Sequence, residues 1–349
     1  MARGQFANKR RMNFRKRRVS EKVNLEELII KFIEAKEFEN RSIKTIKTYK
    51  QTLHHFYLWF EEHGNQRVEE AVIKEYLIFM KSKKEKWDDH EHLASTGIGK
   101  GLSIRTINNI IRNMRVFFNW TYNNRLISSN PMSNVKNLKE ENDTFEVFTD
   151  SDIERLLKEP NIRMFTGFRN YVMMLVLIDT GVRISELVNI KVQDVDFKLS
   201  QIVLPGRITK NRSLRVLPIS KKTQNELENL LDYINISEED YLFLNQYGEQ
   251  FHADSFAKTL RDYGKKAGIT VARCSPHTFR HYFAVKYLRS GGDAFSLMRI
   301  LGHSDMTMTN RYVRYADNEI NEIHKRASPV ENIFRTSNVN KKISRKKLF

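Results

Sequence analysis

The chain has 349 residues, and its 60 Lys and Arg against 42 Asp and Glu give a formal net charge of +18, which favours a polyanionic partner, with nucleic acid as the first candidate. The single cysteine excludes an intrachain disulfide. Because the sequence has neither a secretory signal nor an apolar run of the about 20 residues that cross a bilayer, we expect a cytoplasmic protein with no membrane partner.

Both ends of the chain are basic. Residues 1–20 contain eight Lys and Arg, residues 335–349 contain six, and neither segment holds an acidic residue. We interpret residues 1–22 as a basic N-terminal tail and residues 329–349 as a C-terminal segment that ends in a basic tail. Such tails either follow a phosphate backbone or simply keep the chain in solution.

Residues 23–130 are predicted to form a small helical domain. Asn24 is placed to cap the first helix, with Glu27 three positions on, and apolar residues then recur every three or four positions in four successive segments. The polar segment 82–102 separates the third helix from the fourth and is predicted to be a loop. The apolar patterns of the four helices begin at Leu25, Ile43, Val68 and Ile104.

The fourth predicted helix carries arginines on the side opposite its apolar residues. Arg105, Arg112 and Arg115 could form a stripe that faces phosphates. The helical pattern breaks near Asn130, and we interpret residues 131–148 as an interdomain linker.

The second domain, residues 149–328, is predicted to be mainly helical with a small antiparallel sheet. Thr149 is placed to cap its first helix, with Asp152 in the reciprocal position, and an apolar helix follows. Two short strands joined by a turn-prone segment are predicted at residues 201–204 and 214–219.

Two cationic residues of the second domain stand at turns. Arg183 follows the apolar helix, which Gly181 can end, and Glu186 one turn on could orient the guanidinium by a bidentate pair. Lys210 lies between the two strands, where a lysine can reach DNA and protonate a 5′ oxygen. Taken alone, Arg183 also fits a helix cap and Lys210 a generic basic loop. The same segment of the chain also holds Arg207, Arg212 and Arg215.

The segment SPHTFRH is predicted to start a helix. Ser275 can cap it, and His277 and Arg280 then lie one turn apart on one face, where the free N–H groups of the helix start also favour an anion. A competing interpretation takes Cys274, His277 and His281 as zinc ligands, but a fourth ligand would have to come from elsewhere. A second group of possible metal ligands in the polar loop is better interpreted as a solvated acidic patch: Asp88, Asp89, His90, Glu91 and His92.

The segment LGHSDMTMTNRYVRY holds the remaining candidates. His303 follows a predicted helix, and Tyr312 comes nine residues later on another, with Tyr315 nearly on the same face as a rival nucleophile. Fixed cations can balance the charge of a phosphodiester while a phenol becomes the covalent carrier, so no metal or other cofactor is needed. The candidate catalytic residues are Arg183, Lys210, His277, Arg280, His303 and Tyr312.

In its second half the chain resembles the tyrosine recombinases, also called phage-integrase-type recombinases. The motifs that carry the resemblance are TGVRISEL with Arg183, the two strands with Lys210 between them, HTFRH with His277 and Arg280, LGH with His303, and the terminal Tyr312. The gap after the LGH histidine favours Tyr312 over Tyr315. The first half resembles the family's core-binding domain more loosely.

The resemblance implies a two-domain DNA clamp, with a helical core-binding domain at 23–130 and a catalytic domain at 149–328. It implies double-stranded DNA recombination sites as partners, a homotetramer in the synaptic complex, and accessory DNA-bending or element-encoded proteins. It implies no cofactor.

The resemblance also implies the role of each candidate residue. Tyr312 would attack the scissile phosphate, which gives a 3′-phosphotyrosyl link and a free 5′ hydroxyl. Lys210 would be the general acid on the 5′ oxygen, and His277 would assist in proton transfer. The transition state would be stabilised by Arg183, Arg280 and His303.

Three alternatives remain open at the level of the sequence. A type IB topoisomerase shares the same catalytic logic, a non-catalytic DNA-binding regulator could keep the fold, and a recombinase of the Xer type would resolve chromosome dimers. The two basic extensions favour the integrase or transposase of a mobile element, because added positive charge strengthens nonspecific DNA binding.

Overall fold

The chain divides into two compact units, Met1–Asp143 and Thr144–Phe349. The computed structural model describes residues 24–84, 99–140, 146–234, 236–270, 272–316, 324 and 328–330, without the side chains of residues 315 and 316. The division between the units falls within the predicted linker. Residues 1–22, residues 331–349 and the acidic patch at 88–92 lie outside the described residues.

The described part of the first unit is a bundle of helices. They are α1 (Leu25–Phe38), α2 (Ile43–Glu62), α3 (Glu70–Ser82) and α4 (Ile104–Asn123). The predicted cap is present, since the backbone N–H of Glu27 donates to Oδ1 of Asn24 at 3.2 Å. The core of the bundle is aromatic, with Phe32 and Phe117 fully buried and their rings edge to face at 5.3 Å. The four apolar patterns of the sequence therefore correspond to four packed helices.

The chain beyond α4 still packs on the first unit, so the predicted linker 131–148 is too long. Met132 and Val135 are buried in the helical core. The amide of Asn108 donates to the carbonyl of Leu138 at 3.0 Å and accepts from its N–H at 2.8 Å, as a strand partner would. The sequence pattern missed this packing because the segment has no regular period and contributes few apolar side chains.

One of the three arginines that were predicted to form a phosphate-facing stripe on α4 contacts the first unit instead. Arg115 turns to the chain beyond the helix, where it donates to the carbonyl of Val135 at 2.7 Å and to the side chain of Asn137 at 3.2 Å. It therefore holds the end of the first unit in place. Arg105 and Arg112 are exposed.

The second unit is mainly helical with a small antiparallel sheet, as predicted. A capping box at Thr149 and Asp152 starts its first helix, again as predicted. In the described residues its elements are α5 (Asp150–Lys158), α6 (Phe165–Thr180), α7 (Ile184–Leu187), β1 (Val195–Asp196), β2 (Gln201–Leu204), β3 (Arg215–Pro218), α8 (Lys221–Tyr233), α9 (Ala253–Lys266), α10 (Pro276–Arg289), α11 (Ala294–Leu301) and α12 (Met306–Ala316).

The sheet has the order β1-β2-β3 and is antiparallel throughout. Its two longer strands pair in the register that sets Ile202 opposite Leu217 and Leu204 opposite Arg215. The sequence pattern did not predict β1, because two residues are too few to show an alternation. Helix α6 packs against α8 and α10, and α12 packs against α10 and α11. The candidate residues therefore sit where the ends of α6, α10 and α11 meet β3 and α12.

No helix in the described residues is both long enough and apolar enough to cross a membrane.

Candidate active site

The turn that carries Arg183 is made by a glycine. Gly181 ends α6 in the left-handed region with φ of 60°, and a Cβ added there would meet Cδ1 of Phe283 at 2.4 Å. Glycine is therefore required both by the backbone conformation and by the close approach of α10. Arg183 follows at the start of α7, and its Nη1 lies 3.0 Å from Oε1 of Glu186.

Glu186 is shared by two arginines rather than paired with Arg183 alone. Its Oε2 accepts the backbone N–H of Arg183 at 3.1 Å and also a short hydrogen bond from Nη2 of Arg215. The carboxylate is 1% exposed. Burial alone would raise the pKa of Glu186, but the hydrogen bonds and charges of the two arginines outweigh burial and lower it. The predicted bidentate pair thus forms with Arg215, whose Nη1 is 3.4 Å from Oε1.

Arg215 is the residue that sequence reasoning missed. It was assigned to the generic basic segment around Lys210, but it lies on β3 and is buried. Besides Glu186, its Nη1 donates to the carbonyl of Leu301 at 3.1 Å. The available signal was the alternation of β3. It puts Arg215 on the same buried face as Leu217 and opposite Leu204 of β2.

Arg280 is 3% exposed and held by main-chain oxygens. Its Nη1 donates to the carbonyl of Gly181 and its Nη2 to the carbonyl of Leu301, each at 2.8 Å. Burial, followed by the charge of Arg183, lowers the pKa of Arg280 to about 10, so the guanidinium keeps its charge at neutral pH. The result is a fixed cation that cannot turn away from the site.

His303 is locked in one tautomer by its two partners. Nη2 of Arg280 lies 3.0 Å from Nε2, and Oγ1 of Thr309 lies 2.9 Å from Nδ1. A guanidinium can only donate, so Nε2 accepts and the ring hydrogen is on Nδ1. Burial, then the charges of the neighbouring arginines, lowers the pKa of His303 to about 4. The preceding Gly302 ends α11 with φ of 63°, which turns the chain toward α12.

Tyr312 is buried against this cluster. Its hydroxyl lies 2.9 Å from Nδ1 of His281, and its ring stacks on that of His303 at 6.2 Å with an interplanar angle of 9°. The side chain is 5% exposed. Burial raises the pKa of the phenol, although the positive charges of Arg280 and Arg311 act in the opposite direction. The phenol is therefore protonated in the free protein.

His277 lies at the exposed edge of the site. It is in the first turn of α10, after the predicted cap Ser275, which accepts the N–H of Thr278. Its ring meets that of His281 edge to face at 4.5 Å. Loss of solvation, followed by the charges of Arg280, Arg183 and Arg311, lowers the pKa of His277.

Lys210 is on the loop between β2 and β3 and is exposed. Its backbone is ordered by the buried Thr209, whose hydroxyl donates to the carbonyls of Gly206 at 3.1 Å and Ser213 at 2.8 Å. The neighbouring Asn211 donates to the carbonyl of Gly302 at 3.2 Å, which ties the loop to the segment before His303. Of the six predicted residues, Arg280, His303 and Tyr312 are linked by side-chain contacts, and His277 joins them through His281. Arg183 reaches the same place through the carbonyl of Gly302, and Lys210 is exposed on its loop.

The alternative zinc site is not assembled. Cys274 is buried against Gly264 of α9, where its Sγ would lie 3.1 Å from an added Cβ, whereas His281 contacts Tyr312. Among the described residues no three His, Cys, Asp or Glu side chains come together as metal ligands do. The side chain of Tyr315, the rival nucleophile, lies outside the described residues.

Comparison with known proteins gives consistent matches. The family model described as the phage integrase family matches residues 146–319. The tyrosine recombinase XerD of Listeria monocytogenes is 27% identical over 298 residues, which cover 82% of this chain and 93% of the relative. XerC of Staphylococcus aureus is 27% identical over 297 residues, which cover 83% of this chain and 92% of the relative.

A solved structure shares the fold. The Tn1549 transposon integrase in complex with a circular intermediate DNA superimposes with a TM-score of 0.64 at 20% identity, over 82% of this chain and 94% of that chain.

Proposed function

The chain belongs to the tyrosine recombinase family, and we propose that it is a site-specific DNA recombinase that cuts and rejoins strands through Tyr312. The observation that carries the assignment is the phenol itself. It is buried against Arg280 and two histidines, and Arg280 and Arg183 are anchored so that their charges stay in place. Such preorganised cations stabilise charge that develops on a phosphoryl group.

In the proposed reaction, Tyr312 attacks the scissile phosphorus and displaces the 5′ oxygen. The products are a 3′-phosphotyrosyl link and a 5′ hydroxyl, which receives its proton from Lys210. A 5′ hydroxyl of the partner strand then attacks the phosphotyrosine and reverses the chemistry. Because the energy of the broken phosphodiester is kept in the covalent link, strand joining requires no ATP. The negative charge of the transition state is stabilised by Arg183 and Arg280, and His303 holds the guanidinium of Arg280 in place.

The proposed partner is double-stranded DNA that carries a recombination site. It is bound by a core-binding domain, which covers 23–130 and the packed segment up to residue 138, and by a catalytic domain at 149–328. The net charge of +18 supports this partner. Strand exchange joins two duplexes that are each cut on both strands, so we propose four copies in the synaptic complex.

Two biological roles fit this chemistry. The basic segments at both ends favour the integrase or transposase of a mobile element. The second candidate, resolution of chromosome dimers, is favoured by the likeness to XerD and XerC over more than 90% of those relatives. The position of the target site in the genome separates the two roles.

Covalent capture tests the proposed function. The protein is incubated with nicked fragments of its host genome in EDTA without ATP, denatured in detergent, and the attached DNA is sequenced. We expect adducts at a discrete locus, linked through Tyr312. Scattered adducts would favour a topoisomerase, and their complete absence would favour a DNA-binding regulator. A locus at the ends of a mobile element supports an integrase, and one at the replication terminus supports the second candidate.

Replacing Lys210 with alanine is expected to slow adduct formation on an ordinary strand by about 100- to 10,000-fold, as is typical for the loss of a general acid. Sulfur in place of the 5′ oxygen leaves without protonation, so a 5′-thio substrate should restore the rate. The measurement is single-turnover cleavage of both substrates.

Arg207→Ala is the matched control, because it removes another exposed cation from the same loop. It should weaken DNA binding without distinguishing the two leaving groups. A Lys210→Ala defect that persists with the thio substrate would contradict the general-acid role.

A further inference from the structure

We propose that His281, which is outside the set of six predicted residues, accepts the phenolic proton of Tyr312 as the nucleophile attacks. The proposal deepens the proposed function and rests on Tyr312 being the nucleophile. It assigns the base of the reaction to α10 and leaves the general acid on the β2–β3 loop.

The contact that carries this inference is direct. Nδ1 of His281 lies 2.9 Å from Oη of Tyr312, and the two ring centroids are 5.5 Å apart. A base must lie within about 2.6 to 3.2 Å of the proton that it takes. His281 is in the second turn of α10, a helix that is fixed at its start by the Ser275 cap and in its middle by the anchored Arg280. Its position is therefore set by a rigid element.

The other two histidines of the site are not placed for this task. Both ring nitrogens of His303 are occupied, Nε2 by Arg280 and Nδ1 by Thr309. His277 contacts the ring of His281 from the exposed side. Among these three, His281 is the histidine with a ring nitrogen at hydrogen-bonding distance from the nucleophile.

The neighbouring arginine determines which partner donates the hydrogen bond between Tyr312 and His281. The positive charge of Arg280 lies beside the phenol, where it lowers the pKa of Tyr312 against the effect of burial. A guanidinium has no lone pair to accept a proton, so the single hydrogen of the phenol is directed to Nδ1 of His281. That ring then carries its own hydrogen on Nε2.

His281 is neutral and able to accept at physiological pH. Burial, then the charges of His277, Arg311 and Arg280, lowers its pKa to about 4. A bound phosphodiester brings a negative charge beside the same arginines and offsets their effect. The ring therefore gains proton affinity when the substrate arrives, which is when the phenol must lose its proton.

Every proton that moves in the cleavage step has a named donor and a named acceptor. The bond from Oη of Tyr312 to phosphorus forms as the bond from phosphorus to the 5′ oxygen breaks. The phenolic proton moves to Nδ1 of His281, and the 5′ oxygen takes a proton from Lys210. Strand joining runs the same transfers backwards, so the imidazolium returns its proton to the phenol and no other reactant is consumed.

Two substitutions separate proton transfer from positioning. In His281→Asn the side-chain oxygen can occupy the place of Nδ1 and accept the hydrogen bond, but it cannot take the proton at neutral pH. In His281→Phe both properties are lost. The probe is a nicked duplex that carries the sequence recovered by covalent capture, and the readout is the single-turnover rate of adduct formation with oxygen or sulfur at the 5′ position. His252→Asn, at an exposed position, is the matched control.

We expect both His281 variants to form the adduct about 100- to 10,000-fold more slowly than the wild type, with DNA binding retained and with the same deficit on both leaving groups. Sulfur should rescue Lys210→Ala but not these variants, since their defect lies on the nucleophile.

A wild-type rate for His281→Asn would overturn the proposal and leave His281 as a positioning residue. Rescue of either variant by the thio substrate would overturn it as well. Failure of the wild type itself to form a Tyr312 adduct would instead reject the proposed function, so the two failures are distinguishable.

Discussion

Tyr312→Phe is expected to abolish the covalent protein–DNA adduct while DNA binding stays at the wild-type level. Phenylalanine keeps the ring that stacks on His303 and fills the same buried space, but it lacks the oxygen that would bond to phosphorus. The loss should be complete rather than partial, because phenylalanine has no atom that can form the covalent link. Adduct formation is measured on the captured site after detergent denaturation, and binding is measured by gel mobility shift.

Tyr315→Phe is the matched control for this experiment. It makes the same chemical change three residues further along α12 and should leave the yield of adduct unchanged. If Tyr312→Phe formed the adduct normally and Tyr315→Phe did not, the nucleophile would be Tyr315.

Glu186→Gln is expected to lower the free energy of unfolding of the second unit by about 3 to 5 kcal/mol, the usual cost of removing one partner from a buried ion pair. The glutamine leaves Arg215 buried with no negative partner and releases the guanidinium of Arg183. Urea unfolding followed by far-ultraviolet circular dichroism measures the loss. Trp59, Trp87 and Trp120 all lie in the first unit. Tryptophan fluorescence therefore follows the unfolding of the first unit, whose midpoint should not change.

Glu226→Gln provides the comparison on the same unit. Glu226 pairs with Lys222, whose side chain is largely exposed, so the loss of Glu226 should cost much less than the loss of Glu186. Equal effects of the two substitutions would contradict the claim that Glu186 neutralises a buried charge.

Local signals in the sequence accounted for most elements of the fold. The caps at Asn24 and Thr149 form as predicted because a capping residue needs only partners three positions away. The two longer strands and the glycine turn before Arg183 are local in the same sense. The short strand β1 was not predicted because two residues are too few to show an alternation. The packing of residues 131–138 was not predicted because it depends on Asn108 and Arg115, which lie 20 to 30 residues earlier.

The candidate site, too, was predicted only where signals in the sequence were sufficient. Motif order selected Arg280 and His303, which lie beside the phenol, but not His281, which contacts its oxygen. The roles of Arg215 and His281 could not be predicted, because each depends on a residue that is distant in sequence. Arg215 pairs with Glu186, 29 residues away, and His281 contacts Tyr312, 31 residues away. The alternation of β3 places Arg215 on the buried face, but only the tertiary structure shows that its partner is Glu186. Nothing local in the sequence marks His281 as the partner of Tyr312.

The backbone of Leu301 and Gly302 has a consequence for how such a protein can evolve. Their two carbonyl oxygens accept hydrogen bonds from four side chains: Arg215, Arg280, Arg183 and Asn211. A carbonyl survives every codon change, so selection can alter neighbouring side chains without removing these acceptors. Residue 302 itself must stay glycine, because an added Cβ would meet Nη1 of Arg215 at 2.3 Å. The spacing of Arg183, Arg215 and Arg280 is thus set by main-chain acceptors, which substitutions elsewhere in the site leave in place.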